Sequence, residues 1–197
     1  MKRLYIIILL VWATLLNVHG IAAQDYTKEI TLSWSGAPFG DEQTLLPYDG
    51  YMSLSDNPLK YMFSDYDGPT YMTGNIMAEI NFLKRKRWTF SVALAANGIW
   101  KDSFDPLTDA KIGRISGFSA TVMPQWRFYW KNKDYVKLYS SVGLGLTIGA
   151  FDGNAQSYGS FQLGLLGFQL GRKFFVMAEA GCGFLYMGGR CGVGYRF

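Results

Sequence analysis

The ten residues Gly188-Gly-Arg-Cys-Gly-Val-Gly-Tyr-Arg-Phe197 decide how this chain is read. Taken every second residue back from the last, Phe197, Tyr195, Val193 and Cys191 fall on one side, and Arg196, Gly194, Gly192 and Arg190 on the other. A strand points alternate side chains to opposite faces, so this period of two specifies a strand with one apolar face and one small or polar face. A strand of this kind that stops on a bare aromatic fits the closing strand of a cylinder better than the edge of a soluble sheet.

The same alternation recurs upstream. Seven further strands are predicted at Glu29–Ser35, Tyr71–Leu83, Trp88–Lys101, Ile115–Trp130, Tyr135–Ala150, Gly159–Leu170 and Phe174–Cys182. In the clearest of them Val136, Leu138, Val142, Leu144, Leu146 and Ile148 alternate with Lys137, Tyr139, Ser141, Gly143, Gly145 and Thr147. The segment Leu163–Leu166 is apolar in both phases, so its faces stay unassigned, and a bulge near Gly164 or Gly167 would account for the lost phase. Pro124 cannot donate to a ladder and predicts a gap there. The predicted fold is all-β, an eight-stranded antiparallel up-and-down transmembrane β-barrel.

Residues 1–23 read as a cleaved signal peptide, with Lys2 and Arg3, the apolar run Leu4–Leu16 and small residues up to Ala23. About 13 apolar residues fall short of the ~20 that a spanning helix needs. Residues 24–197 then form one barrel domain. Lys2 and Arg3 leave with the leader and no acid does, so the formal charge of +4 becomes +2. No basic run interleaved with aromatics remains, which argues against nucleic acid as a partner. No later apolar run approaches the ~18 residues of a membrane helix. A mean hydropathy of +0.05 is the average that alternating strands produce.

Connection lengths orient the cylinder. Turns at Lys84–Arg87, Lys131–Asp134 and Gly171–Lys173 are short, whereas those at Gly36–Thr70, Asp102–Arg114, Phe151–Tyr158 and Phe184–Gly189 are longer. Outer-membrane barrels keep short turns in the periplasm and long loops outside. Large aromatics (Trp34, Phe82, Trp88, Trp100, Trp130, Phe174 and Phe197) sit at strand ends, as two interfacial girdles would.

The leader, the strand pattern, the alternation of connections and the final Gly-Val-Gly-Tyr-Arg-Phe197 resemble the small eight-stranded outer-membrane β-barrel proteins. That family includes outer membrane protein X and the membrane domain of outer membrane protein A. The resemblance spans Asp25–Phe197 and is architectural. It implies the bacterial outer membrane as location, its lipid as the surrounding medium, a monomer, and recognition by the barrel-assembly machinery during biogenesis. Tyr195 and Phe197 are the assembly signal it implies. Shared fold does not choose among that family's functions.

No enzyme is expected. Related barrel enzymes use a histidine base, and the sole histidine, His19, leaves with the leader. Glu79 and Glu179 could pair for glycoside chemistry, but a narrow lumen favours an ion-pair role. No cofactor or metal is expected either. Gly143-Leu-Gly-Leu-Thr-Ile-Gly149 lies within a strand, and Asp65-Tyr-Asp67-Gly68 lacks the other ligands of a calcium loop.

Inward parity places Glu79, Arg127, Lys137, Glu179 and Arg196 in the lumen, where Glu79 and Glu179 are expected to be bracketed by the three cations and to plug it. Cys182 and Cys191, outward on neighbouring strands in an oxidising compartment, are a candidate disulfide. The loop 36–70 offers Phe39, Tyr48, Tyr51, Tyr61, Phe63 and Tyr66, either as a cap on the barrel mouth or as a binding surface for an unidentified extracellular partner. The expected function is a structural or surface-interaction role through these loops; the alternative is a small transport barrel for an apolar solute. Deleting Phe197 should leave the protein secreted but unassembled in the periplasm. Full heat-modifiable barrel in the outer membrane from that variant would contradict the reading of the last strand.

Overall fold

The computed structural model describes residues 28–36, 38–45, 66–84, 87–105 and 107–197. The leader 1–23, the loop aromatics Tyr48, Tyr51, Tyr61 and Phe63, and Asp65 lie outside the described residues. The elements are β1 (Glu29–Ser35), α1 (Phe39–Thr44), β2 (Tyr66–Met72), β3 (Ile76–Lys84), β4 (Trp88–Phe104), β5 (Lys111–Asn132), β6 (Val136–Phe151), β7 (Asn154–Gly171), β8 (Phe174–Gly183) and β9 (Gly188–Arg196).

Antiparallel pairing runs β4-β3-β1-β9-β8-β7-β6-β5, and β5 pairs back onto β4. The sheet is therefore a closed eight-stranded up-and-down barrel, in which β9 joins β1 with Arg196 opposite Glu29. Closure leaves the wall without an edge, the condition for strands to cross a membrane. The predicted second strand is interrupted. β2 and β3 lie along the same neighbour, β4, separated by Thr73–Asn75. Gly74 has a φ of +77° there, and a Cβ on it would run into the Ser35 carbonyl.

Polarity is inverted relative to a water-soluble domain. Glu79 and Arg127 are each 0% exposed, while Leu32, Leu144 and Val193 are 55%, 62% and 58% exposed. A protein folding in water would bury the second set and expose the first. Aromatic pairs ring both ends. Trp88–Phe128, Phe128–Trp130, Phe174–Tyr195 and Tyr195–Phe197 lie at the short-turn end with centroids 4.8, 4.9, 4.8 and 4.9 Å apart. At the loop end Tyr71 stacks on Trp100 at 6.1 Å.

The ambiguous phase in β7 resolves as a bulge. Gly164 faces Ser141 and Gly181, Gly167 faces Tyr139 and Glu179, and the two residues between them, Leu165 and Leu166, both look outward. At Pro124 the ladder to β6 lapses between Val122 and Gln125, while the ladder to β4 continues. One loop prediction fails. Phe151–Tyr158 is not a long loop, because β6 and β7 run on until Phe151 pairs with Asn154 across Asp152-Gly153. Both turn residues have positive φ, 51° and 73°, as a two-residue hairpin with the favoured twist requires.

The disulfide prediction also fails, for a reason of register. Cys191 faces Ala178 on β8, whereas Cys182 lies beyond the last β8–β9 pair, Gly181 with Gly188, and faces Leu163 on β7. Four residues of offset at ~3.3 Å each put the thiols out of bonding range. Both cysteines are free, on the outward face. Alkylation of unreduced, unfolded protein should modify both cysteines, and protein that carries neither adduct would contradict this register.

Candidate functional site

The lumen is filled in layers, and each layer follows from which strands bring which inward residues level with one another. At its centre Arg127 on β5 donates through Nη2 to Glu79 Oε2 on β3. Arg190 on β9 reaches the same oxygen at 3.4 Å and Glu179 Oε2 on β8 at 2.7 Å. The result is a chain of alternating charge, Arg127–Glu79–Arg190–Glu179, with every member fully buried. Glu179 also accepts hydrogen bonds from Tyr139 (2.8 Å), Ser141 (2.7 Å) and Tyr186 (2.7 Å). The Arg127 guanidinium lies 4.8 Å from the Tyr139 ring centroid. Gly164 makes this possible, because a Cβ there would collide with Glu179 and Ser141.

A second charged layer lies toward the short-turn end. Lys137 Nζ approaches Glu29 Oε1 at 2.7 Å and Arg196 Nε approaches the same oxygen at 3.0 Å. Arg196 stacks over Phe175 at 4.3 Å and donates to Gln169 Oε1 at 2.8 Å. Tyr129, Tyr139, Phe175 and Met177 pack between the two charged layers.

Toward the loop end an apolar cluster follows, and beyond it Thr121, Thr147, Ser160 and Asn97 line the lumen again with polar groups. Met77, Ala93, Ala95 and Met123 pack with Leu185 and Tyr186, which belong to the β8–β9 connection and fold inward. Gln162 holds that connection, accepting from the Leu185 amide at 3.1 Å and donating to the Tyr186 carbonyl at 3.1 Å. Asn75 donates to the Leu185 carbonyl at 2.5 Å.

α1 closes the mouth. Its Asp41 is buried and accepts from Asn97 on β4 (2.8 Å), Ser119 on β5 and Tyr158 on β7 (2.6 Å). Leu45, just past the helix, packs on Ile99 and Phe151. The Gly40 amide donates to the Phe184 carbonyl at 3.0 Å, and a Cβ there would meet the Phe184 and Tyr158 rings at 2.6 and 2.9 Å. A glycine is what lets the helix seat this deeply.

The five lumen charges expected from parity (Glu79, Arg127, Lys137, Glu179 and Arg196) are all inward and buried, but they are partnered differently. Lys137 and Arg196 do not bracket Glu79 and Glu179; they neutralise Glu29. Arg190 takes the bracketing position instead. Both missed residues carried the parity signal. Glu29 is in phase with Thr31, Ser33 and Ser35, and Arg190 with Arg196. Of the loop aromatics, Phe39 sits on α1 with its ring 6.5 Å from that of Phe184, and Tyr66 begins β2, where only the backbone is described. Tyr195 and Phe197 face outward in the short-turn girdle.

No family model matches this chain, and no curated protein does. Among solved structures it is similar to the Yersinia pestis outer membrane protein Ail, determined in a phospholipid bilayer nanodisc. Identity is 18%, with 88% of this chain and 100% of that one covered, at a TM-score of 0.40. The assignment to an eight-stranded barrel rests on the closed ladder itself.

Removing one partner of a buried pair strands the other charge, at ~3–5 kcal/mol. Glu79→Ala should therefore lower the urea midpoint of unfolding by an amount corresponding to that range, and Arg190→Ala likewise. The double variant should lose less than the sum. Additive losses, or an unchanged midpoint for Glu79→Ala, would contradict the charge chain.

Proposed function

We propose that this chain is a monomeric bacterial outer-membrane barrel that is sealed to solutes and acts through what it raises above the outer surface. The filled lumen carries this reading. Two charged layers, an apolar layer and the α1 cap succeed one another along the axis, in a barrel whose strand number leaves room for little more than its own side chains. The apolar exterior between two aromatic girdles supports placement in lipid. Glu79 and Glu179 are committed to arginines in the interior, which supports a non-catalytic role.

What stands outside is substantial. A transmembrane strand needs ~9–11 residues, and β5 has 22. β4 and β5 stay paired out to Phe104 and Lys111, and β6 and β7 to their two-residue turn. Beyond the Tyr71–Trp100 pair, Arg114 and then Lys111 hydrogen-bond the Asp102 carboxyl and hold it at about 2, below the usual 3.8. A depressed carboxyl contributes above its ordinary value and loses that contribution as pH falls through the lowered one. This tie between β4 and β5 thus persists through neutral and mildly acidic pH. β7 pairs with β8 only from Gln162 onward, so among the described residues the outer edge of 154–160 meets no strand. Such an edge presents unpaired amides and carbonyls to an incoming chain.

The partner in this reading is a protein met outside the cell, and no cofactor takes part. A transport barrel for an apolar solute would need an apolar path from mouth to wall, and α1 and the central charge chain stand across it. In planar bilayers the pure protein should give no steady ohmic conductance. Stable channels, or currents evoked by apolar solutes, would favour transport instead.

A further inference from the structure

The short-turn end holds a built feature that the sealed lumen does not use. Between the turn leading into β6 and the Arg172–Lys173 turn lies a depression of about 460 Å³. Lys133, Arg172 and Lys173 wall it, Lys137 and Arg196 form its floor, and Phe197 edges it; Asp134 is the single acidic side chain in its lining. The three wall cations are exposed and make no ion pair among the described residues.

The depression is held in shape from beneath. Arg196 Nη1 donates to the carbonyls of Gly171 and Arg172, both at 2.7 Å, and of Asp134 at 3.4 Å, so one guanidinium stitches the two turns together. The Gly171 amide donates to the Tyr135 carbonyl at 2.9 Å and the Arg196 amide to the Lys173 carbonyl at 2.9 Å. A cationic concavity ordered before any ligand arrives loses less freedom on binding.

Its depth says what it meets. Tyr135, Phe174, Tyr195 and Phe197 mark the edge of the hydrocarbon. The wall cations lie one or two residues beyond, roughly 3–7 Å at strand rise, which is the level of lipid headgroups. We propose that this depression binds the phosphate of an anionic phospholipid in the periplasm-facing leaflet. The site rests on the membrane reading above. A cation beside an anionic bilayer contributes about fivefold in affinity, so the three together contribute on the order of 100-fold.

The test uses the full folded chain, titrated with phosphatidylglycerol, phosphatidylcholine or inorganic phosphate, with bound lipid counted by native mass spectrometry. Wild type should retain phosphatidylglycerol in preference to phosphatidylcholine, and millimolar phosphate should not displace it. The triple variant K133Q/R172Q/K173Q should bind phosphatidylglycerol on the order of 100-fold more weakly, and K133Q alone about fivefold more weakly, with closure of each barrel checked by heat-modifiable mobility. Equal retention of the two lipids, undiminished binding by the variants, or displacement by free phosphate would overturn the site. Wild type that closes in phosphatidylcholine without a phosphatidylglycerol preference defeats this site and leaves the barrel standing. Failure to close in either lipid defeats both.

Discussion

The chain Arg127–Glu79–Arg190–Glu179 is the constraint on which the rest of the lumen depends. Its members come from β5, β3, β9 and β8, so it ties opposite walls of the cylinder and spans the β9–β1 seam. A buried ion pair is weak evidence for stability in itself, because desolvation offsets the attraction. What it specifies is register. Sliding any of these strands by one residue would send its charge into lipid and its apolar side chain into the lumen.

The glycines and the bulge are consequences of that layer. Gly164 is small because the Glu179 carboxylate and the Ser141 hydroxyl occupy the space its Cβ would need, and Gly167 because the Tyr139 ring does. Leu165 and Leu166 both face outward because β7 needs both glycines inward on either side of them. The cap follows a different logic. α1 brings a carboxylate to three neutral donors on three strands, so its seating depends on the strands being correctly spaced first.

The fold was legible because its signal is local. Alternation in a segment such as Val136–Ala150 states which residues face lipid without reference to any partner. Parity likewise placed Glu79, Arg127, Lys137, Glu179 and Arg196 inside. Who pairs with whom was not legible, because that depends on shear and on closure around the cylinder. Lys137 on β6 meets Glu29 on β1 across the lumen, a contact no spacing encodes. Cys182 and Cys191 failed for the same reason: parity put them on one face and register set them apart. The Asp152-Gly153 turn was legible and was missed, since Asp-Gly between two alternating runs is a hairpin signal. The placement of α1 in the mouth was signalled only by the length of its loop and its aromatics, Phe39 among them; nothing in the sequence marked Asp41 as its anchor.

In the proposed placement a lipid-facing exterior surrounds a closed, water-poor interior. Spin labels placed one at a time along 141–148, in the protein reconstituted in bilayers, test it through their accessibility to oxygen and to a water-soluble nickel chelate. Labels at Val142, Leu144, Leu146 and Ile148 should be open to oxygen and shielded from nickel. Labels at Ser141, Gly143, Gly145 and Thr147 should be shielded from both wherever the barrel still closes. Nickel reaching the second set would mean a water-filled pore, and loss of the alternation would mean that these strands do not face lipid at all.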